Sequence, residues 1–216
     1  SPFILELEGG IYYTNIRSDD RLNIEMGVHM AKQHNEFENV KTAILETSAH
    51  LFTQKGVHST SLADIAKEAK LSKGTLYYYY QSKEHLISDV ADYHIGRITD
   101  SIFSWIDALS RDCDPVEAIT GLANALSVNE GLKKLHVVLA AEAVMGNMAL
   151  QRKFSAKYRE WTVMLEVGTL KIKSPEAEKL RKLTKIFVAL LDGFLLEELM
   201  GVEKPNGDTL VDFIAN

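Results

Sequence analysis

The sequence is poor in cysteine and contains no long apolar run. Cys113 is the single cysteine among 216 residues, which excludes an intrachain disulfide and a cysteine-based zinc site and is typical of a reducing compartment. No run of 18 uncharged apolar residues occurs, so the sequence predicts no membrane-spanning helix. Glu6 and Glu8 interrupt the first apolar residues, unlike a secretory signal. We therefore expect a cytoplasmic protein.

The sequence also has no excess of basic residues and contains few prolines. The 24 Lys and Arg residues are outnumbered by 30 Asp and Glu residues, giving a net charge of −6, so any nucleic-acid surface must be a local patch. This excludes a histone-like wrapping protein. With 46% hydrophobic residues the chain can form a core, and with only four prolines its helices can run long. The sequence predicts an all-α fold.

Sequence patterns of common catalytic and metal sites are absent. There is no glycine-rich phosphate loop, no His-Glu-x-x-His zinc pattern and no G-x-S-x-G nucleophile turn. His136 and Glu142 lie six residues apart, on different parts of a helix, which argues against a metal pair. We expect no catalytic residues, no metal and no cofactor, and hence no enzyme.

The first 29 residues differ from the rest of the chain. Residues 3–8 and 11–16 are apolar runs separated by Gly9 and Gly10, a pattern that predicts a small hairpin. The run Gly27-Val28-His29-Met30 is equally consistent with a leader or a cloning remnant before a start at Met30. We leave both interpretations of residues 1–30, a native arm or an extension, open.

Helical signals follow from Phe37. Apolar residues recur at helical spacing from Phe37 until Gly56, which predicts helix one. Ser61 and Asp64 form a capping-box pattern, which starts helix two and takes it to about Ala69. Ser72 is a cap for a third helix from Lys73 to about Tyr79, separated from helix two by a short turn. Helices two and three therefore predict a helix-turn-helix.

The remaining segments predict a helical body. Ser82 caps a long helix four that ends near Leu109, and cap-and-proline pairs at Asp114-Pro115 and Ser174-Pro175 start two later helices. The expected ranges beyond helix four are a helix from Pro115, 131–148 with a break near Gly146-Asn147, 150–172, 175–200 and a short helix 208–214.

The third helix has two different sides. Leu76 and Tyr80 lie four residues apart and are expected to pack on Ile65 and Ala66 of helix two. The other side carries hydroxyl and ammonium donors without a carboxylate, which suits phosphate oxygens. The predicted DNA-binding residues are Lys73, Thr75, Tyr77, Tyr78 and Tyr79, with Lys83 at the start of helix four. Residues 31–90 hold seven basic and seven acidic residues, so this region is neutral while the rest of the chain is acidic.

The stretch from Ser59 to Leu86, STSLADIAKEAKLSKGTLYYYYQSKEHL, resembles the DNA-binding headpiece of the TetR/AcrR (tetracycline-repressor) family. The resemblance implies a helix-turn-helix domain over residues 31–82 and a helical effector-binding and dimerisation domain over 83–216. It also implies a homodimer, an operator on double-stranded DNA and repression relieved by a small-molecule effector. It assigns DNA contact to Thr75, Tyr77, Tyr78, Tyr79 and Lys83.

Two residues depart from that pattern. Lys70 stands where the family usually has glycine, so we expect a left-handed backbone there at a cost of about 1 to 2 kcal/mol. Tyr80 stands where phenylalanine is usual, so its hydroxyl at the edge of the core needs a partner.

The body supplies candidates for two further surfaces. The helix from Ile186 is hydrophobic nearly all round, which favours a dimer interface over a core helix of a single chain. The proposed interface residues are Phe187, Leu190, Leu191, Phe194 and Leu195. An effector pocket needs apolar side chains with a few polar anchors, and its candidates are Phe103, Trp105, His136, Glu142, Met145, Met148, Trp161 and Phe187.

Two alternatives stay open at this point. One is a DNA-binding protein of the same fold without an effector, such as an architectural or division factor, and the other is a helical enzyme or partner-binding protein. Release from operator DNA by a ligand separates the first alternative from an effector-controlled repressor. The second would need converging titratable groups.

Overall fold

The computed structural model describes residues 3–7, 10–14, 18–126, 130–173 and 175–202. The chain divides into two units, residues 1–43 and 44–216. Apart from one hairpin, every regular element in these ranges is an α-helix, so the all-α prediction is confirmed.

The first unit contains the hairpin and the beginning of a long helix. Strand β1 (Phe3–Leu7) pairs antiparallel with β2 (Gly10–Thr14), as the two apolar runs predicted. Helix α1 spans Ser18–Lys55, so the expected start at Phe37 is wrong by 19 residues. The stretch 18–36 contains no proline and one glycine, Gly27, so nothing in it ends a helix.

Two short helices with hydroxyl caps follow. Helix α2 (Leu62–Glu68) begins at the cap Ser61, whose hydroxyl accepts from the Asp64 N–H at 3.1 Å while Asp64 Oδ2 accepts from the Ser61 N–H at 2.8 Å. Helix α3 (Lys73–Tyr79) begins at Ser72, whose hydroxyl accepts from the Thr75 N–H at 3.0 Å. These caps and helix ranges confirm the predicted helix-turn-helix.

The turn between α2 and α3 contains the expected left-handed residue. Lys70 has a φ of 56°. This backbone lets the next N–H, that of Leu71, donate to the Ala66 carbonyl at 2.9 Å, and so closes the end of α2. The turn therefore keeps its geometry without glycine.

Within the described residues, five helices form the body. They are α4 (Lys83–Ala108), α5 (Pro115–Leu126), α6 (Glu130–Val144), α7 (Met148–Thr169) and α8 (Pro175–Leu199). The predicted break near Gly146 is confirmed, because Gly146 has a φ of 119° and Asn147 caps α7. Gly201, with a φ of 81°, follows the end of α8. The expected helix 208–214 lies outside the described residues.

Helix α4 lies at the centre of the body. It packs against α5, α6 and α7, while α7 also contacts α6 and α8. Its inward residues Val90, Ile95 and Ile102 are buried, as are Leu139 of α6 and Leu165 of α7. In the part of the chain that the structure describes, none of the helices is both long and apolar enough to cross a membrane.

Candidate DNA-binding helix and body site

One side of α3 is packed into the headpiece. Leu76 is fully buried, as are Ile65 and Ala66 of α2, which confirms that this side belongs to the core. Tyr80 is buried too, and its hydroxyl donates to Asp89 Oδ2 at 3.1 Å. This bond supplies the partner that the tyrosine at this position needs and joins the end of α3 to α4.

The opposite side of α3 is open to solvent. Tyr77 and Tyr78 are 49% and 75% exposed, and Lys73 is exposed as well. Thr75 and Tyr79 are half-buried: the Thr75 hydroxyl lies 2.8 Å from the Ser72 hydroxyl, and the Tyr79 ring packs edge-on against Tyr78. The structure therefore leaves Lys73, Tyr77 and Tyr78 exposed to solvent and holds Thr75 and Tyr79 closer to the protein.

Lys83 has a second contact that sequence reasoning did not predict. Its ammonium donates to the His58 carbonyl at 3.2 Å and ties the start of α4 to the loop after α1. An ammonium group has three donor hydrogens, so this bond leaves donors for other acceptors. Lys83 therefore stabilises the headpiece in addition to the role predicted for it.

The start of α2 has an ionised carboxylate. Hydrogen bonds from the Ser61 hydroxyl and backbone N–H, followed by Lys55, lower the pKa of Asp64 to about 2. The Lys55 ammonium lies 3.4 Å from Asp64 Oδ2. The last turn of α1 is thereby linked to the first turn of α2.

The predicted pocket residues are not all brought together. Phe103 and Met145 are 53% and 83% exposed, and Met148 is exposed as well, so these side chains do not line an interior pocket of the protomer. Glu142 contacts the imidazole of His58 at 3.2 Å. Trp105 is buried and donates its indole N–H to the Ala118 carbonyl at 2.7 Å, which fixes α5 on α4. The side chain of Phe187 lies outside the described residues.

His136 is the candidate that the structure places in a polar cluster. His136 Nδ1 lies 3.0 Å from His94 Nε2, and His136 Nε2 lies 3.0 Å from the Tyr158 hydroxyl and 3.5 Å from Asp192 Oδ1. Four helices, α4, α6, α7 and α8, thus each contribute one member. We call His94, His136, Tyr158 and Asp192 the polar cluster. Among the described residues, no group of three His, Cys, Asp or Glu side chains is arranged to hold a metal ion.

Burial keeps two members of the polar cluster uncharged. Burial, and then the neighbouring His136 and Arg97, lower the pKa of His94 to about 3. Burial, followed by the Asp192 carboxylate, raises the pKa of Tyr158 far above its ordinary value. His94 is therefore a neutral imidazole and Tyr158 a neutral phenol at physiological pH.

Trp161, another candidate, lies beside the polar cluster. Its ring packs edge-on against Tyr158 at 5.4 Å, and its indole N–H donates to the Thr99 hydroxyl at 2.9 Å. Sequence reasoning missed His94 and Tyr158. The available signal for His94 was its position four residues after Val90, on the apolar side of α4, where a polar residue needs an explanation.

The α8 residues proposed for dimerisation are partly covered within one protomer. Leu190, Leu191, Phe194 and Leu195 are half-buried, and the side chain of Phe187 is outside the described residues. Other residues of α7 and α8, and the residue that follows each of these helices, are exposed. We call these residues the apolar stripe: Val163, Val167, Leu170, Ile186, Ala189, Gly193, Leu196 and Met200.

Comparison with known proteins places the chain among bacterial regulators. Residues 44–90 match the family model of bacterial regulatory proteins of the tetR family. The HTH-type transcriptional regulator YuxN of Bacillus subtilis is 51% identical over 54 residues, which cover 25% of this chain and 19% of YuxN. The match to YuxN thus spans about a fifth of that relative's length. YxaF of Bacillus subtilis is 26% identical over 167 residues, covering 74% of this chain and 85% of YxaF.

A solved structure extends the likeness to the whole fold. The crystal structure of AibR in complex with isovaleryl coenzyme A and operator DNA covers 81% of this chain and 95% of its own, with a TM-score of 0.56 and 19% identity. Together these findings show that residues 44–90 are a DNA-binding headpiece of the tetR family and that the described fold is similar to that of transcriptional regulators of this type.

Proposed function

We propose that the protein is a homodimeric repressor whose α3 helices bind a palindromic operator and whose body binds a small molecule that releases the DNA. The observation that carries the DNA-binding part is the exposure of Lys73, Tyr77 and Tyr78 on α3, a helix whose Leu76 is fully buried in the headpiece. AibR, of similar fold, holds operator DNA and an acyl-coenzyme A in its crystal structure, which supports both parts of the proposal.

A two-fold dimer sets the geometry of the operator. Each α3 would lie in a major groove, and matched half-sites would be about 34 to 36 Å apart, or a multiple of one helical turn. Lysine and tyrosine donors contact phosphates, which fixes the position of the helix on the duplex. Selection of bound sequences from random DNA identifies the operator and reveals whether it is palindromic.

The phosphate contact is tested through salt dependence. Lys73→Ala should weaken binding to every duplex and reduce the slope of log affinity against log salt by about one. Lys134→Ala is the matched control, because Lys134 is an exposed lysine on α6, paired with Glu130. Fluorescence anisotropy across salt concentrations measures both. An unchanged slope for Lys73→Ala would remove Lys73 from the proposed interface.

Tyr78 tests whether the aromatic side of α3 binds DNA. Tyr78→Ala should weaken operator binding while circular dichroism shows unchanged helicity, because the side chain is mostly exposed. Loss of helicity or of thermal stability would instead indicate a packing role. Tyr78→Phe separates the hydroxyl from the ring.

The apolar stripe is the proposed dimer surface. Exposed apolar side chains on two adjacent helices, with small Ala189 and Gly193 between larger residues, suit close packing against the same helices of a second copy. Ala189→Arg should yield monomers in sedimentation or light scattering and abolish operator binding. Ala141→Arg is the control, since Ala141 is an exposed alanine on α6. Retained dimers in Ala189→Arg would place the interface elsewhere.

Helix α4 is the proposed link between effector and DNA. Tyr93 of α4 donates to Glu46 of α1 at 3.0 Å and Asp89 holds Tyr80, while His94 on the same helix belongs to the polar cluster. A ligand that changes the position of α4 would change the headpieces, and it weakens DNA binding only by its preference for the non-binding state. Screening compounds for dissociation of the operator complex tests this. A complex that no compound dissociates would favour the effector-free alternative.

A further inference from the structure

We propose that His94 Nδ1 is the acceptor that anchors the effector, and that the effector carries a hydroxyl or N–H donor on a small apolar frame. This inference rests on the proposed effector function and adds the chemistry of the ligand.

Asp192 determines which groups donate and which accept in the hydrogen bonds of the polar cluster. Carboxylate oxygens accept hydrogen bonds, so the Tyr158 hydroxyl, which is hydrogen-bonded to Asp192, is the donor in that bond. The Tyr158 oxygen then accepts from His136 Nε2, which lies 3.0 Å away. The same nitrogen lies 3.5 Å from Asp192 Oδ1, so a hydrogen on Nε2 also faces this second acceptor.

The remaining two positions follow from the tautomer of His136. With its one hydrogen assigned to Nε2, the His136 ring has a bare Nδ1, and His136 Nδ1 accepts from His94 Nε2 across 3.0 Å. His94 is itself neutral, because burial lowers its pKa to about 3. Its hydrogen is therefore on Nε2, and its Nδ1 is a lone-pair acceptor.

His94 Nδ1 is the atom that the cluster leaves unpaired. Of the buried side-chain nitrogen and oxygen atoms that the structure describes, it is the one without a hydrogen-bond partner, and the residue is 2% exposed. A buried acceptor without a donor is unfavourable and rare in folded proteins. A ligand that supplies an O–H or N–H group satisfies it, whereas a ligand without a donor does not.

The surroundings of the polar cluster favour an apolar, ring-like frame. The His136 ring packs edge-on against Phe154 at 5.6 Å, and Tyr158 packs edge-on against Trp161 at 5.4 Å. Phe154 and Trp161 are buried. These rings offer apolar contact, and offset or edge-to-face packing with another ring is favourable.

The same geometry disfavours carboxylic acids. A carboxylate has no donor for His94 Nδ1, and it would meet the negative Asp192 at the other end of the cluster. Arg97, the cation whose charge acts on His94, is exposed and lies over the Tyr93 ring at 5.9 Å. The inference therefore separates alcohols, phenols and N–H compounds from acids of the same size.

Matched small probes test the donor requirement in the full-length protein. We would titrate phenol against anisole and benzoate, and indole against N-methylindole, following binding by calorimetry and ligand-observed NMR. Phenol and indole should bind at least about tenfold more tightly than their methylated partners, and benzoate should not bind. Equal binding of each pair, or no binding of either donor compound up to its solubility limit, would overturn the inference.

Two substitutions of His94 separate the acceptor from the rest of the cluster. His94→Gln keeps a donor near the position of Nε2 for His136 but has no acceptor at Nδ1, so it should bind phenol and anisole equally. His94→Asn places an amide oxygen near Nδ1 and should keep the preference for phenol. His85→Gln, at an exposed histidine of the same helix, should behave as wild type. A preference that survives in His94→Gln would contradict the anchor role.

Nitrogen-15 NMR of the histidines gives a readout that does not depend on DNA. His94 Nδ1 should have the chemical shift of an unprotonated nitrogen that moves when phenol binds, and does not move with anisole. Failure of the two proposals is distinguishable. A compound that releases operator DNA without donor preference would refute this inference and leave the proposed function intact. A protein that binds phenol through His94 but no operator would refute the proposed function instead.

Discussion

The headpiece and the body hold their polar groups at very different sequence separations. In the headpiece, three hydroxyl caps, Ser61, Ser72 and Ser82, each accept from the N–H three residues later. In the body, His94 pairs with His136 at a separation of 42 residues and Trp161 pairs with Thr99 at 62. Local polar contacts define where the headpiece helices begin, whereas the site in the body exists only after four helices have packed.

The two regions also differ in how many side chains they bury. The core side of α3 contributes one fully buried residue, Leu76, whereas the described residues of the body bury side chains from four helices, α4, α5, α6 and α7. We therefore expect the headpiece to open more easily than the body, and to do so without unfolding it. The following variants test this difference, in order of expected effect.

Leu76→Ala should have the largest effect. Truncating a fully buried leucine costs about 3 kcal/mol through lost contacts and the cavity that remains. Hydrogen exchange should accelerate across α2 and α3, operator binding should disappear, and the body helices should keep their protection. Leu139→Ala, at a fully buried leucine of α6, is the matched control and should accelerate exchange in the body. Identical exchange patterns in the two variants would show that both regions unfold as one cooperative unit.

The buried His94 should make the body sensitive to acid. Its pKa is about 3 in the folded protein and 6.5 when exposed, so the unfolded state binds more protons between these values. The free energy of unfolding is unaffected by His94 above pH 6.5 and falls as the pH decreases toward 3, by about 2 kcal/mol at pH 5. Urea titrations at pH 7.5 and 5 measure this loss.

His94→Gln removes the titrating group and should flatten that pH dependence relative to wild type. His85→Gln should not change it, because His85 is exposed. If the free energy of unfolding falls equally between pH 7.5 and 5 in the wild type and in His94→Gln, His94 is not the origin of the acid sensitivity.

The sequence predicted the headpiece because its signals are local. The caps Ser61 and Ser72 and the buried Leu76 each follow from residues within a few positions, and the left-handed Lys70 follows from the resemblance to a family that usually has glycine there. The predicted start of α1 was wrong because no local sequence signal marks the position where the helix begins. Residues 18–36 contain neither a proline nor an apolar period strong enough to distinguish a helix from an arm.

The body site was predicted only in part because it depends on long-range packing. His136 and Trp161 were candidates and lie in or beside the polar cluster, but Phe103 and Met145, chosen by the same composition argument, are exposed. Composition identifies side chains suited to a pocket, and it contains no information on which of them face each other. That information comes from the rotation of each helix about its axis, which the contacts between helices decide.

Ser61→Ala tests the contribution of a local helix cap to the stability of the headpiece. Removing the capping hydroxyl should cost about 1 kcal/mol at pH 7, because the Asp64 N–H loses its acceptor. The Asp64 carboxylate, with a pKa of about 2, is ionised at this pH and keeps its bond to the Ser61 N–H. Ser59→Ala is the control, at an exposed serine two residues earlier. Exchange rates of the α2 amides should rise in Ser61→Ala alone, and equal rates in the two variants would contradict the capping role.

Lys70→Gly should give the smallest effect, and it has the opposite sign. Lysine at a φ of 56° is strained by about 1 to 2 kcal/mol, whereas glycine adopts this conformation freely but loses about 0.5 to 1 kcal/mol more backbone entropy on folding. The net result should be a headpiece more stable by about 0.5 to 1 kcal/mol. Lys67→Gly, three residues earlier inside α2, is the matched control and should destabilise by about 1 kcal/mol, because its backbone is helical. Opposite signs for the same substitution at neighbouring lysines, measured by thermal unfolding, would locate the strain in the turn. A loss in both variants would mean that the contacts of the Lys70 side chain outweigh the strain of its backbone.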